Sequence, residues 1–313
     1  MFSRGIRGIL PHERRRTLIA RMAIAAVLTG VLTSGTAAAQ LSPQIAAEFD
    51  RYVAQTEARI EQEQSSPQSF LAFESLPPAQ RIEVQDRLRR GEVLVDKSIG
   101  TSPEIPGALI HHWVGTAFIP RATVRQLLTV LQDYDHLARH YRPEVVTSRL
   151  MSRSGDDFLV SMRLRKHEVV TVVLDTEYAV HYGQLDAVHQ YSRSRSTRVT
   201  EIANPGEPNE HSLSAGDDHG FMWRLNTYWR LEQARDGVFV QCEAVSLTRD
   251  VPTGLRWLIG PFIQNIPRES LQFTLKATRD AVLETTKNSG VSTLNDAAKY
   301  PSTSAMRGGT REE

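Results

Sequence analysis

The feature that most limits how this chain can fold is a run of extended segments that ends in one amphipathic helix. The predicted strands of this run span 144–153, 158–165, 168–182, 188–202, 220–232 and 238–248. Most of them alternate apolar and polar residues, which is the period of a strand with one covered face. Asp236-Gly237 predicts a tight hairpin between the last two strands. The sequence therefore predicts an antiparallel sheet that buries one face.

The segments before this run complete the fold class. Strands are predicted at 93–99 and 108–119, and a helix at 123–140. Two more helices are predicted at 42–64 and 78–90. Three roles stay open for this pair: a lid, a pro-region, or helices that simply pack on the rest of the chain. The order of strand, helix, antiparallel meander and closing helix is typical of an α+β protein.

The closing helix, predicted at 267–285, is the element long enough to cover the sheet. The alternation in 220–232 assigns Trp223, Leu225 and Trp229 to the covered face, opposite polar residues such as Arg224 and Arg230. Any space left between helix and sheet is then an apolar cavity, suited to a hydrophobic small molecule. The predicted ligand-binding residues are Met162, Tyr178, Trp223, Leu225, Trp229, Trp257, Phe262, Leu271 and Leu275. Plain core filling by the tryptophans remains the alternative.

The segment 255–263 is too apolar to sit in water without packing, gating a cavity or touching a membrane. Trp257 and Phe262 belong to it. We interpret this segment as a flexible rim of the cavity, with transient membrane contact as a further prediction.

The first 39 residues have the organisation of a secretory signal peptide. An arginine-rich start precedes an apolar run, Met22–Leu32, and small residues lead to a cleavage point before Gln40. The run is shorter than the roughly 20 residues of a membrane span. Arg15-Arg16 leaves both the general secretory and the twin-arginine routes open. We therefore predict a soluble periplasmic or secreted protein.

The charge of the chain argues against a nucleic-acid partner. Six arginines and one glutamate give residues 1–39 a charge of +5, and the whole chain carries +1, so the remainder carries −4. A mildly acidic body lacks the basic patch that binds phosphates.

Several stretches of the chain resemble bacterial members of the START-like (SRPBCC, Bet v 1-type) superfamily, in the polyketide cyclase and coenzyme-Q-binding branch. These stretches are Trp113–Gly115, Leu131–Asp135, Tyr141–Pro143, Ser192–Ser194, Gly220–Asn226, Ser246–Pro252 and Ile266–Leu271. The resemblance implies a helix-grip fold, a curved antiparallel sheet wrapped around a long C-terminal helix. Together with the patterns of the N-terminus and the polar tail, it divides the chain into a signal peptide (1–39), a helical extension and linker (40–107), a START-like domain (108–286) and a disordered tail (287–313). The superfamily includes carriers and enzymes, so it does not fix the function.

The sequence offers no complete catalytic or metal-binding constellation, and we predict no cofactor. No GxSxG motif is present, and Cys242 falls on the apolar face of its strand, where a thiol is inert. His111 and His112 point to opposite faces of one strand, which disfavours a shared metal ion. Tyr178 and His112 are the polar groups that an enzyme could use inside the cavity.

Three hypotheses follow for the function. The leading one is a non-catalytic carrier or sensor of a lipid, quinone or similar apolar molecule. The second is a cyclase-type or hydratase-type enzyme that acts on such a molecule. The third is an interaction module whose cavity is filled by its own side chains.

Overall fold

The computed structural model describes residues 41–66, 68–97, 102–167, 171–250 and 256–299, with the backbone alone at 256–264 and 287–299. The predicted signal peptide lies outside these residues. The helices are α1 (Pro43–Gln64), α2 (Pro78–Arg89), α3 (Val124–Gln132) and α4 (Arg256–Lys299), with short 3₁₀ helices η1 (Ala72–Ser75) and η2 (Leu137–Arg139). The strands are β1 (Leu94–Lys97), β2 (Ala108–Pro120), β3 (Val145–Ser154), β4 (Asp157–His167), β5 (Thr171–Gln184), β6 (His189–Ala203), β7 (His211–Ser212), β8 (Arg224–Ala234) and β9 (Gly237–Arg249).

The strands form one antiparallel sheet in the order β1-β2-β9-β8-β6-β5-β4-β3, with β7 paired to β6 alone. Register shifts interrupt the β3–β4 pairing twice and the β5–β6 pairing once. Such bulges bend strands and increase their twist, which curves the sheet. The predicted α+β class and helix-grip arrangement are confirmed by this curved sheet and its C-terminal helix.

Local sequence signals set the ends of several helices. The Ser42 hydroxyl accepts a hydrogen bond from the Ile45 amide at 3.2 Å, and Pro43 occupies the first turn of α1. Thr123 and Gln126 form a capping box at the start of α3. The helix predicted at 123–140 is divided, because α3 ends at Gln132 and η2 follows it.

Helix α4 is longer than the sequence predicted. Its backbone is helical from Arg256, where we expected a loop up to residue 266, and it continues to Lys299, where the composition favoured disorder from 287. The prolines at 261 and 267 both fall inside this helix, where each removes one backbone donor. None of the described helices is long and apolar enough to cross a membrane.

Helix α4 approaches β2 closely at Gly115. A Cβ atom built at this position would lie 2.5 Å from Cδ1 of Leu275 and 3.2 Å from Leu271. The missing side chain therefore lets the helix pack on the strand. Leu271 and Leu275 are buried there with Cys242, which points inward as predicted.

The opposite face of the sheet is also covered, which the sequence did not predict. Helix α1 packs Ile45, Phe49 and Val53 against Val245 and Leu247 of β9. The strand β1, which lies in the segment predicted as an extension, forms the edge of the same sheet. The central strands therefore have α4 on one face, called the inner face below, and α1 on the other, called the outer face.

Candidate functional site: the groove between the sheet and α4

The inner face of β8 is more open than its outer face. Leu225, Thr227 and Trp229 point toward α4 and are only half-buried. On the outer face, Tyr228 is 1% exposed and Arg230 is 0% exposed. The face toward α4 thus retains solvent access along an apolar stretch of strand, and we call this space the groove.

The second wall of the groove comes from β4 and β5. Tyr178 is buried in a cluster that also contains Val160 and Val180, and the half-buried Met162 packs against that cluster. Leu225 of β8 and two α4 residues, Phe273 and Ala277, pack on the same cluster. Two of the predicted ligand-binding residues, Met162 and Leu225, therefore share this part of the groove with Tyr178.

An open cleft of about 390 Å³ lies between η2 and α4. Phe273 and Ala277 line the cleft and also pack on the tyrosine-containing cluster of the inner face. The cleft therefore reaches α4 side chains that border the groove.

Trp223 does not share the groove with Trp229, contrary to the alternation in the sequence. It is buried with Phe49, Tyr228 and Leu247 in the cluster under α1. Its Nε1 donates a hydrogen bond to Asp218 Oδ1 at 2.8 Å. Since β8 begins at Arg224, the strand pleat does not extend to Trp223.

The remaining predicted site residues lie on α4. Leu271 and Leu275 are buried against β2, so they form the packed end of the groove. Trp257 and Phe262 lie outside the described side chains, as does the predicted membrane contact of segment 255–263.

The ionisable groups of the inner cluster are tyrosines in their neutral form. Burial raises the pKa of Tyr178 to about 12 and that of Tyr141 to about 12, although a side-chain hydrogen bond with a threonine opposes each rise. Tyr134 and Tyr182 share a hydrogen bond of 2.7 Å. Burial also raises the pKa of the Cys242 thiol. These groups are poor acids and bases near neutral pH, which favours binding over proton transfer.

His112, the other acid–base candidate, faces α1 instead of the groove. Its Nε2 is 2.5 Å from Glu243 Oε1, and its Nδ1 is 2.7 Å from the Tyr52 hydroxyl. Glu243 also pairs with Arg59 and Arg230. Burial alone would raise the pKa of Glu243, but the hydrogen bond from His112 and the arginine charges hold it at about 2. This buried network joins α1 to the sheet.

Sequence reasoning missed the polar lining of the groove. Ser192 lies directly opposite Trp229, and Ser194 lies directly opposite Thr227, so these hydroxyls share the inner face. The signal for them is the alternation of serine and arginine in β6, although such a polar pattern is equally typical of a strand with a solvated face. Within the described part of the chain, no three His, Cys, Asp or Glu side chains lie close enough together to hold a metal ion.

None of the family models searched matches the chain, and neither does any curated protein compared with it. Solved structures are similar to it. The STAR-related lipid transfer protein of Xanthomonas axonopodis is 18% identical over 58% of this chain and 97% of its own, with a TM-score of 0.40. Human STARD10 is 11% identical over 68% of this chain and 82% of its own, with a TM-score of 0.40. The Zhui aromatase/cyclase of a Streptomyces is 12% identical over 57% of this chain and 94% of its own, with a TM-score of 0.36.

Proposed function

We propose that this protein is an exported, non-catalytic carrier or sensor that binds a hydrophobic small molecule in the groove between the inner face and α4. The observation that carries the proposal is the unequal burial of β8. Its outer side chains are sealed under α1, while its apolar inner side chains, Leu225 and Trp229, keep solvent access. An apolar surface that remains open inside a fold is the usual setting for a small apolar ligand.

A binding role accounts for the groove better than catalysis does. The ionisable residues of the inner cluster are tyrosines whose pKa values are raised by burial, to about 12 for Tyr178 and Tyr141. A cyclase-type reaction needs a group that exchanges protons near neutral pH. His112, the histidine that the sequence offers for that role, contacts Glu243 and Tyr52 under α1.

The two tryptophans of this region provide a matched test. Decylubiquinone, an apolar quinone that quenches indole fluorescence, is titrated into two variants that both also carry Trp113→Phe and Trp257→Phe. Trp223→Phe then retains Trp229 as its one tryptophan, and Trp229→Phe then retains Trp223. We expect saturable quenching at one quinone per chain in Trp223→Phe and much weaker quenching in Trp229→Phe. The physical reason is that Trp229 borders the groove, whereas Trp223 is enclosed under α1.

Equal quenching in both variants would argue against the groove as the binding site. Native mass spectrometry of the purified wild-type protein gives an independent measurement, since a carrier should retain a co-purifying apolar molecule. Chemical conversion of the bound compound would instead favour the enzyme hypothesis.

The export part of the proposal rests on the first 39 residues. Cell fractionation followed by N-terminal sequencing should recover a soluble product that begins near Gln40. A membrane-bound product that retains Met22–Leu32 would contradict it.

A further inference from the structure

The groove contains a row of hydroxyl groups on its sheet wall. Ser192 and Ser194 of β6 lie opposite Trp229 and Thr227 of β8. Since Trp229 packs with the α4 cluster, the side chains paired with it on this face also point toward α4. We call Ser192, Ser194 and Thr227 the hydroxyl row.

The neighbouring arginines confirm the orientation of β6. Arg193 donates to Glu61 at 2.9 Å, and Arg195 donates to Glu57 at 2.8 Å. Both acceptors belong to α1, on the outer face of the sheet. Successive side chains of a strand alternate between faces, so Ser192 and Ser194, which alternate with these arginines, lie on the inner face.

The hydroxyl row lacks protein partners. None of its three side chains forms a hydrogen bond with another described residue, although Ser192 is buried and the other two are half-buried. Two other hydroxyls of β5 and β6 are satisfied: Ser196 Oγ accepts from the Leu225 amide at 3.0 Å, and Thr176 Oγ1 donates to the Met162 carbonyl at 2.9 Å. Among the described residues, none of the three hydroxyl oxygens is a fully enclosed atom without a partner, so each faces space that water or a ligand reaches. The row therefore has hydrogen-bonding capacity left for a ligand.

The surroundings of the row determine the chemistry of that ligand. Its neighbours on the inner face include Val180, Leu225 and Trp229, which are apolar. Arg193 and Arg195 of β6 point away and already pair with α1 carboxylates, and Arg198 pairs with Glu177 of β5. A few uncharged donors in an apolar wall suit a neutral oxygen better than a carboxylate or a phosphate.

We propose that the hydroxyl row binds the carbonyl oxygen of an otherwise apolar ligand, of the ketone, ester or quinone class. The groove then selects oxygenated apolar molecules over pure hydrocarbons. This inference rests on the proposed function, because it assigns the ligand class of the same groove.

The test compares two ligands that differ in one group. Octanophenone carries a ketone where octylbenzene has a methylene, and calorimetry gives the dissociation constant of each. The test protein is a double variant that combines Ser194→Ala with Thr227→Val. It lacks two of the hydroxyls and nearly preserves the shape of the groove. The control is Thr200→Val in the same strand. Thr200 lies opposite Asp175, whose carboxylate binds Arg163 on the outer face, so the Thr200 hydroxyl lies outside the groove.

We expect the preference for the ketone, taken as the ratio of the two dissociation constants, to fall about five- to tenfold in the double variant, since one or two neutral hydrogen bonds are lost. It should stay unchanged in Thr200→Val. If both ligands still bind the double variant and the ratio is unchanged, the hydroxyl row is not the carbonyl-binding site. The proposed function would then still stand. Failure of the wild-type protein to bind either ligand would overturn both.

Discussion

Glu243 carries a carboxylate with no solvent exposure, held between β2, β8 and α1. Its neighbour Arg230 is equally enclosed and also contacts Glu63 of α1 and the Phe70 carbonyl. Charges taken out of water stay in a protein only when they are paired. At the residue scale, this network makes the outer face depend on charge pairing as well as on apolar contact.

We expect Glu243→Gln to lower the free energy of unfolding by about 3 kcal/mol, because it leaves the buried Arg230 with less compensating charge. Urea denaturation measures this loss. The control is Glu177→Gln, which removes the partner of the exposed Arg198 and should cost no more than about 1 kcal/mol. Equal losses in the two variants would show that the buried network contributes no more than a surface pair.

Glu232 should make stability depend on pH near neutrality. Burial raises its pKa from 4.5 to about 7, and the nearby Glu74 carboxylate adds to the rise, while His189 lowers it. At a pH between 4.5 and about 7, the folded protein therefore binds more protons than the unfolded chain. Stability from this group is therefore present below about pH 4.5 and is lost as the pH rises through about 7.

Thermal unfolding between about pH 5 and about pH 8 measures the effect. The wild-type melting temperature should fall over this range, and Glu232→Gln, which cannot ionise, should flatten the dependence. The same slope in both proteins would assign the dependence to other groups.

At the scale of elements, α1 and α4 cover opposite faces of the central strands. Helix α4 packs tightly on β2 through Gly115 and leaves the inner face of β8 open. Helix α1 instead seals its face with Phe49, Val53 and the ion pairs to Glu243 and Arg230. One helix therefore completes the core, and the other borders the binding groove.

We expect a variant that lacks residues 41–64 to aggregate or to lose cooperative unfolding. Its removal exposes Trp223, Tyr228 and Leu247 and leaves Arg230 and Glu243 without their α1 partners. Each large side chain returned to water costs roughly 1.5–3 kcal/mol, against a typical total of about 5–15 kcal/mol. Size-exclusion chromatography and circular dichroism measure the outcome.

Truncation after Lys299 is the control, since it removes none of the described packing. A soluble, cooperatively melting protein without α1 would identify this helix as a dispensable lid.

At the scale of the whole molecule, the sheet is unevenly supported. Strands β2 and β9 lie between two helical layers, whereas β3 at the far edge has only exposed or half-buried side chains. Local opening is easiest where few buried contacts hold the backbone.

We therefore expect native-state hydrogen exchange to be slowest in β2 and β9 and much faster in β3. A saturating groove ligand should slow exchange in β4, β5 and β8 by bridging the open face. Uniform protection across the sheet would contradict this division.

Much of the fold was determined by the sequence alone. The alternation of apolar and polar residues is a local property, so it located the strands within a few residues, including β2, β8 and β9. The same logic placed Cys242 on the buried face. Chain order then fixed the α+β class, since a single antiparallel sheet must bury a face against the helix that follows it.

Only the tertiary structure decided which surfaces are open. Arg230 and Glu243 are polar residues on a strand, and a local pattern assigns such residues to solvent. Partners from α1, more than a hundred residues away in the chain, neutralise them and seal the face that the pattern left exposed. Trp223 likewise belongs to that face, because it precedes β8 and the pleat does not orient it. The groove lies on the other face because burial depends on which distant elements pack together, and alternation along one strand carries no information about that packing.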